Sequence, residues 1–228
     1  RPDESGKKVD IIEDADKMTA EAANCLLKTL EEPPAYAVII LLAEESDRLL
    51  PTVISRCQQI KLQGIKDDII KRELIASGCQ QEIAELLARL ADGSLGTAFR
   101  LAEDEDFSEK RGRILKILYQ LTDMDSYNIF KQVEFLMEIL NTKDDFPLFH
   151  LILSWYRDII LFSQGYKEKM VNIDYIENLQ EQKEIYLIDE LIAIVELVNR
   201  TKSYIDRSVK KDLALQVMLF KIRAKRVK

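Results

Sequence analysis

Three short segments carry residue types that could do chemistry. Ser55-Arg56-Cys57 sets a lone arginine between short elements. A guanidinium is a rigid, permanently charged fork that matches phosphate geometry. Arg56 is therefore either a solvated surface charge, the commoner case, or a group projected toward a phosphate held by a partner. Glu13-Asp14 stands at the tip of the run Val9-Asp10-Ile11-Ile12. A nucleotide-hydrolysing site would place there one carboxylate for Mg²⁺ and a Glu to orient water. The order in this chain is Glu then Asp, which moves each carboxylate by about one methylene and suits poorly a group needing hydrogen-bond reach of a water. A structural or capping role for this pair is favoured over catalysis. Gly6-Lys7-Lys8 offers the Gly-Lys of a phosphate loop, yet lacks the earlier glycine and the following hydroxyl and leads into a strand. It reads as a turn, so this chain does not hold a nucleotide by that route.

The remaining candidates have blander readings. Cys25, Cys57 and Cys79 are odd in number and widely spaced, which fits neither a disulfide framework nor a zinc site. His150, the single histidine, lies on an apolar helical stretch and suits packing or capping better than ligation. Lys221, Arg223, Lys225, Arg226 and Lys228 form a basic end that could touch DNA phosphate, although such an end more often complements a helix C-terminus and stays solvated.

The elements that must position these groups fall into two styles. The 228 residues carry a net charge of −7 and are 47% apolar, enough for a core and a poor match to DNA binding by bulk charge. Val9–Ile12 reads as a strand. Thr19–Glu32 reads as a helix with Thr19 as its N-cap and Pro33-Pro34 as its stop. Ala37–Ala43 is a continuous apolar run suited to a central parallel strand, and Gln58–Leu62 alternates as an outer strand would. A chain opening on a buried-type strand suggests that preceding βα units are missing.

After Gly64 the pattern is helical. Asp67–Ser77, Gln81–Ala91 and Ser94–Leu101 carry stripes at helical spacing, and Glu103-Asp104-Glu105-Asp106 reads as a solvated hinge. From Phe107 onward several long amphipathic helices imply a bundle with Trp155 in its core. Leu213, Val217 and Phe220 are expected inside on the last helix. Phe146–Phe162 is the most apolar stretch, but Pro147, His150, Arg157 and Asp158 interrupt it and it is too short to span a bilayer. No membrane partner is expected, and the cytoplasm is the default location.

Three runs together point further: Asp14-Ala15-Asp16, then Ala22-Ala23-Asn24-Cys25-Leu26-Leu27-Lys28-Thr29-Leu30-Glu31-Glu32-Pro33-Pro34, then Leu50-Pro51-Thr52-Val53-Ile54-Ser55-Arg56-Cys57. They closely resemble the bacterial DNA polymerase III clamp-loader subunits of the AAA+ class, and within that class the delta-prime subunits most, with an N-terminal portion missing. The likeness continues more weakly through Trp155-Tyr156-Arg157-Asp158 into the last helix. The resemblance implies an α/β plus all-α architecture: residues 1–63 as the C-terminal part of a RecA-like AAA+ core, 64–104 as a helical lid, and 105–228 as a helical collar that oligomerises.

It also implies a function in DNA replication. Arg56 would be an arginine finger acting in trans on ATP-Mg bound by a neighbouring gamma/tau subunit, with Ser55 and Cys57 holding its turn. Partners would be gamma/tau and delta subunits and, through the assembled complex, a sliding clamp and primed DNA. Hydrolysing relatives have Asp-Glu where this chain has Glu13-Asp14, small polar residues where it has Glu44-Glu45, and a lid arginine where it has Gly96. These departures imply a subunit without polymerase or ATPase activity of its own, binding no cofactor and no metal. A gamma/tau-type ATPase and a pure scaffold are the alternatives.

Overall fold

The structure, a computed structural model, describes residues 6–43, 46–142, 146–207 and 209–225. The chain divides between Leu62 and Gln63 into two compact units.

The first unit is built around a parallel pair of strands, β1 (Lys8–Ile12) and β2 (Ala37–Leu41), in the register Lys8↔Ala37 to Ile12↔Leu41. Parallel strands need a crossover, and α1 (Ala20–Glu31) supplies it. Its start is local chemistry: Thr19 is extended, and its side chain accepts a 3.2 Å hydrogen bond from the Ala22 N–H. Its end is Pro33-Pro34, which cannot continue a helix. After β2 a short turn of 3-10 helix, Ser46–Arg48, leads to α2 (Pro51–Ile54), which starts on a proline whose fixed φ suits that position. Val9, Ile11, Val38 and Ile40 share one face of the sheet and are exposed.

Gln58–Leu62 is not a strand. Residues 58–66 have no regular secondary structure, and Ile60 and Leu62 are 78% and 84% exposed. Alternation supplies a suitable face, but a strand exists only with a ladder partner, and among the described residues the sheet has two members.

The second unit is helical: α3 (Asp67–Ala76), α4 (Gln81–Leu90), α5 (Leu95–Glu103), α6 (Phe107–Gln120), α7 (Ser126–Asn141), α8 (Leu148–Ser163), α9 (Ile176–Lys183), α10 (Ile188–Asp206) and α11 (Lys211–Arg223). One continuous apolar core runs from Ile70 on α3 to Ile222 on α11. The central element is α8, which packs on α4, α6, α9 and α10 and buries Leu151, Ile152, Trp155, Tyr156 and Ile159 almost completely. Two close approaches fix the connections at the start of the unit. Gly93 has φ +80°, and a Cβ there would lie 2.7 Å from the Gly64 Cα, so the two glycines pack backbone to backbone. The Ile65 N–H donates to Gly93 O at 2.9 Å. Ser94 then caps α5 by accepting from the Thr97 N–H at 3.2 Å.

Two expectations change in this unit. Glu103–Asp106 is a tight corner: Glu103, Glu105 and Asp106 are exposed as expected, but Asp104 is largely covered, with Lys110 Nζ 2.9 and 3.0 Å from its two carboxylate oxygens. A carboxylate with a lysine six positions ahead on the next helix folds the chain over itself. On α11 the buried stripe is Leu215, Met218, Leu219 and Ile222, while Leu213 and Val217 are exposed. That helix carries apolar residues on adjacent stripes, and the one meeting α7 and α10 is the one buried. Phe220 lies between, edge-on to Phe130 at 5.5 Å.

Candidate functional site

Arg56 stands just past the end of α2 on a turn made from local bonds. Ser55 N–H donates to Pro51 O (3.0 Å), Arg56 N–H to Val53 O (3.1 Å) and Cys57 N–H to Ile54 O (3.2 Å). Val53, fully buried, anchors the turn, and the Ser55 hydroxyl donates back to Thr52 O at 3.1 Å. Ser55 thus stiffens the turn, while Cys57 is a half-buried free thiol. The Arg56 guanidinium projects from this platform. Its Nη1 donates to Thr52 O at 3.0 Å and to Ser55 Oγ at 3.4 Å, and its Nη2 lies 2.6 Å from Glu31 Oε1. The side chains of Arg56 and Glu31 are 36% and 50% exposed. This is a solvent-accessible, charge-assisted contact of the kind that other anions can replace.

Of the two carboxylates at the tip of β1, Asp14 already has a partner of its own. Asp14 has φ +52°, precedes the 3-10 turn Ala15–Lys17 and pairs with Lys17 at 2.9 Å. Glu13 and Asp14 are both exposed. Asp16 behaves differently: it is buried, and neither carboxylate oxygen has a hydrogen-bond partner among the described residues. Gly6 turns with φ +69°, and Lys8 already belongs to β1 and pairs with Asp10 at 2.9 Å. The segment therefore enters a strand, without the loop-to-helix geometry that cradles phosphate. Glu44 and Glu45 lie outside the described residues. Gly96 sits at the start of α5 with no heavy atom within 4 Å of a Cβ built there, so crowding does not demand the glycine.

His150 is half-buried on α8, with Nδ1 3.7 Å from Asp92 Oδ2. Burial pushes its pKa below the ordinary imidazole value; the Asp92 carboxylate opposes this and Lys202 adds to it. Of the basic C-terminal residues, Arg223 is not a free charge: it donates to Met124 O at 3.0 Å and lies over the Phe220 ring. Arg226 and Lys228 lie outside the described residues. Among the described residues no group of three or more His, Cys, Asp or Glu is placed to hold a metal ion. Among them, too, no helix is long and apolar enough to cross a membrane.

Comparison with known proteins places the chain in a family. Residues 105–224 match the family model described as DNA polymerase III, delta subunit, C terminal, and residues 1–66 match the model described as DNA polymerase III, delta subunit. The chain belongs to this DNA polymerase III subunit family. It is 29% identical over 208 residues to the DNA polymerase III subunit delta' of Bacillus subtilis, covering 89% of this chain and 63% of that protein. The delta' subunit of Pseudomonas aeruginosa is 38% identical over 116 residues, covering 49% of this chain and 34% of that one. The tau subunit of Bacillus subtilis is 29% identical over 216 residues, 82% of this chain and 38% of its own length. The chain thus spans less than two thirds of the length of each of these relatives.

Glu31, the acidic partner of Arg56, is the residue that sequence reasoning missed. It lay inside a quoted motif, but motif and spacing say nothing about which cation a carboxylate meets in space. The only signal for it was its position at the end of a helix that two prolines terminate.

Proposed function

We propose that this chain is a non-hydrolysing subunit of a DNA polymerase III clamp-loading assembly, and that Arg56 completes the ATP site of a neighbouring gamma/tau-type subunit. One observation carries this reading: Arg56 is displayed on a braced turn, partly exposed, and among the described residues its guanidinium is held by contacts that solvent and other anions can reach. A finger must be presented rigidly at its base and loosely at its tip.

Other features support the non-hydrolysing part. Asp14 is engaged with Lys17 on a left-handed turn, Gly6 leads into a strand, and the open position at Gly96 carries no guanidinium. In this reading residues 64–104 are a lid, and residues 105–228 form a collar that meets gamma/tau and delta subunits. The exposed Tyr127, Phe130, Ile192, Leu213 and Val217 give the collar helices apolar surface for such contacts. The sliding clamp and primed DNA are reached through the assembled complex. Similarity to a tau subunit favours a second reading, a subunit that hydrolyses ATP itself; ATP binding by the full-length protein alone would support it.

The test is Arg56→Ala in a reconstituted loader. Assembly stays intact, and ATP turnover and clamp loading fall at least about tenfold, against the 10³–10⁵ that trans-acting arginines supply in other systems. Unchanged turnover would leave only a scaffold.

A further inference from the structure

We propose that Glu31 is a positioning residue for Arg56: its carboxylate holds the guanidinium on its own subunit until a neighbour's phosphate displaces it. This rests on the reading of Arg56 as a group that meets a neighbouring ATP. The contact joins the last residue of α1 to the turn after α2, two helices of the first unit that touch each other. Glu31 Oε1 lies 2.6 Å from Nη2, while Thr52 O and Ser55 Oγ accept from Nη1. Both terminal nitrogens of the fork, the atoms a phosphate oxygen would meet first, already have acceptors. The guanidinium is therefore occupied and its charge offset.

Two physical features make this a reversible hold. Both side chains are substantially exposed, and exposed ion pairs shift equilibria by only about 1.4- to 5-fold. A polyphosphate, with more charge and more acceptor oxygens than one carboxylate, displaces such a partner. Glu31 also has its own reason to keep a cation near. It ends α1, where the negative pole of the helix disfavours a carboxylate, and Arg56 relieves that repulsion. Glu31 thus sets the fraction of time that Arg56 is available, without touching the reacting atoms.

The experiment uses the reconstituted loader carrying Glu31→Gln, Glu31→Asp, Arg56→Ala, or Glu31→Gln with Arg56→Ala. Gel filtration confirms assembly in each case. Glu31→Gln is expected to raise kcat for ATP turnover about two- to fivefold while the KM for ATP changes less. Glu31→Asp, which keeps the charge, returns kcat toward wild type, and the gain disappears when Arg56 is alanine. A fall or no change in kcat with Glu31→Gln, alongside a loss with Arg56→Ala, overturns the hold and leaves the finger standing. A gain from Glu31→Gln that persists without Arg56 also overturns it. If Arg56→Ala leaves turnover unchanged, both readings fall together.

Discussion

Replacing Asp158 by alanine removes one carboxylate from the middle of α8 and deprives three donors at once. The side chain is buried and accepts from the Val171 N–H at 3.0 Å, the Asn172 N–H at 2.7 Å and Asn172 Nδ2 at 2.9 Å. Asn172 Oδ1 accepts in turn from Arg111 Nη2 at 2.9 Å, and Arg111 grips Asp174 with both terminal nitrogens at 2.7 and 2.8 Å. One acceptor therefore orders the segment between α8 and α9 and ties it to α6. Each buried donor left unpaired costs about 1–3 kcal/mol, and water entering the vacated space recovers part of this. The expected net loss is about 3–5 kcal/mol. Asp158→Asn keeps the volume and one acceptor oxygen but turns an NH₂ toward donors, for a loss of about 2 kcal/mol. Urea unfolding followed by circular dichroism is the assay. With a slope of roughly 2–3 kcal/mol/M, the alanine midpoint falls by about 1–2.5 M and the asparagine midpoint by about 0.7–1 M. Arg157→Ala, on the exposed side of the same helix turn, moves it by less than about 0.3 M. An alanine midpoint no lower than that of Arg157→Ala would refute the dependence of three donors on one carboxylate.

Two further outcomes follow from other parts of the second unit. Gly93→Ala puts a Cβ 2.7 Å from the Gly64 Cα at φ +80°; strain and overpacking should cost about 2–4 kcal/mol by the same urea assay. Gly96→Ala, with open space around it, should gain up to about 1 kcal/mol. Equal effects of the two would remove the close-approach argument. For His150 the lowered pKa means that the native state binds fewer protons than the unfolded chain just below the ordinary imidazole value. Its contribution is fully present above about pH 6.5 and is lost as pH falls through the native value. Urea midpoints of wild type should therefore drop relative to His150→Gln on acidification, and parallel curves would contradict it.

The parts of the fold legible in the sequence were those decided within a few residues. Thr19, Pro33-Pro34, Ser94 and the turn at Asp92-Gly93 set helix ends by caps, missing donors or positive φ, and the structure places the helices there to within two residues. What failed depended on remote partners. Gln58–Leu62 has the alternation of a strand and no ladder to join. Leu213 and Val217 lost to Leu215 and Met218 because the neighbours of α11 choose between two apolar stripes. In the acidic run Glu103–Asp106 three residues are exposed as read, while Asp104 departs because Lys110 folds onto it. At the candidate site the same division holds: the turn at Arg56 was implied by the resemblance and not by local spacing, which does not foretell the helix at Pro51–Ile54 before it, and the pairing of Arg56 with Glu31 is tertiary.

The two charged constellations differ in burial, and that difference sorts their roles. Arg111, Asn172 and Asp158 are enclosed, so every partner removed leaves an unpaired polar group in the core and costs kilocalories. Such a network can define a shape, but it cannot exchange partners during a reaction cycle. Arg56 and Glu31 are partly open to solvent, so breaking their contact costs about 1 kcal/mol or less. A contact that weak contributes little to folding and is well suited to being traded for another anion. In the proposed reading, that partly exposed, internally braced turn presents Arg56 to a partner on another molecule.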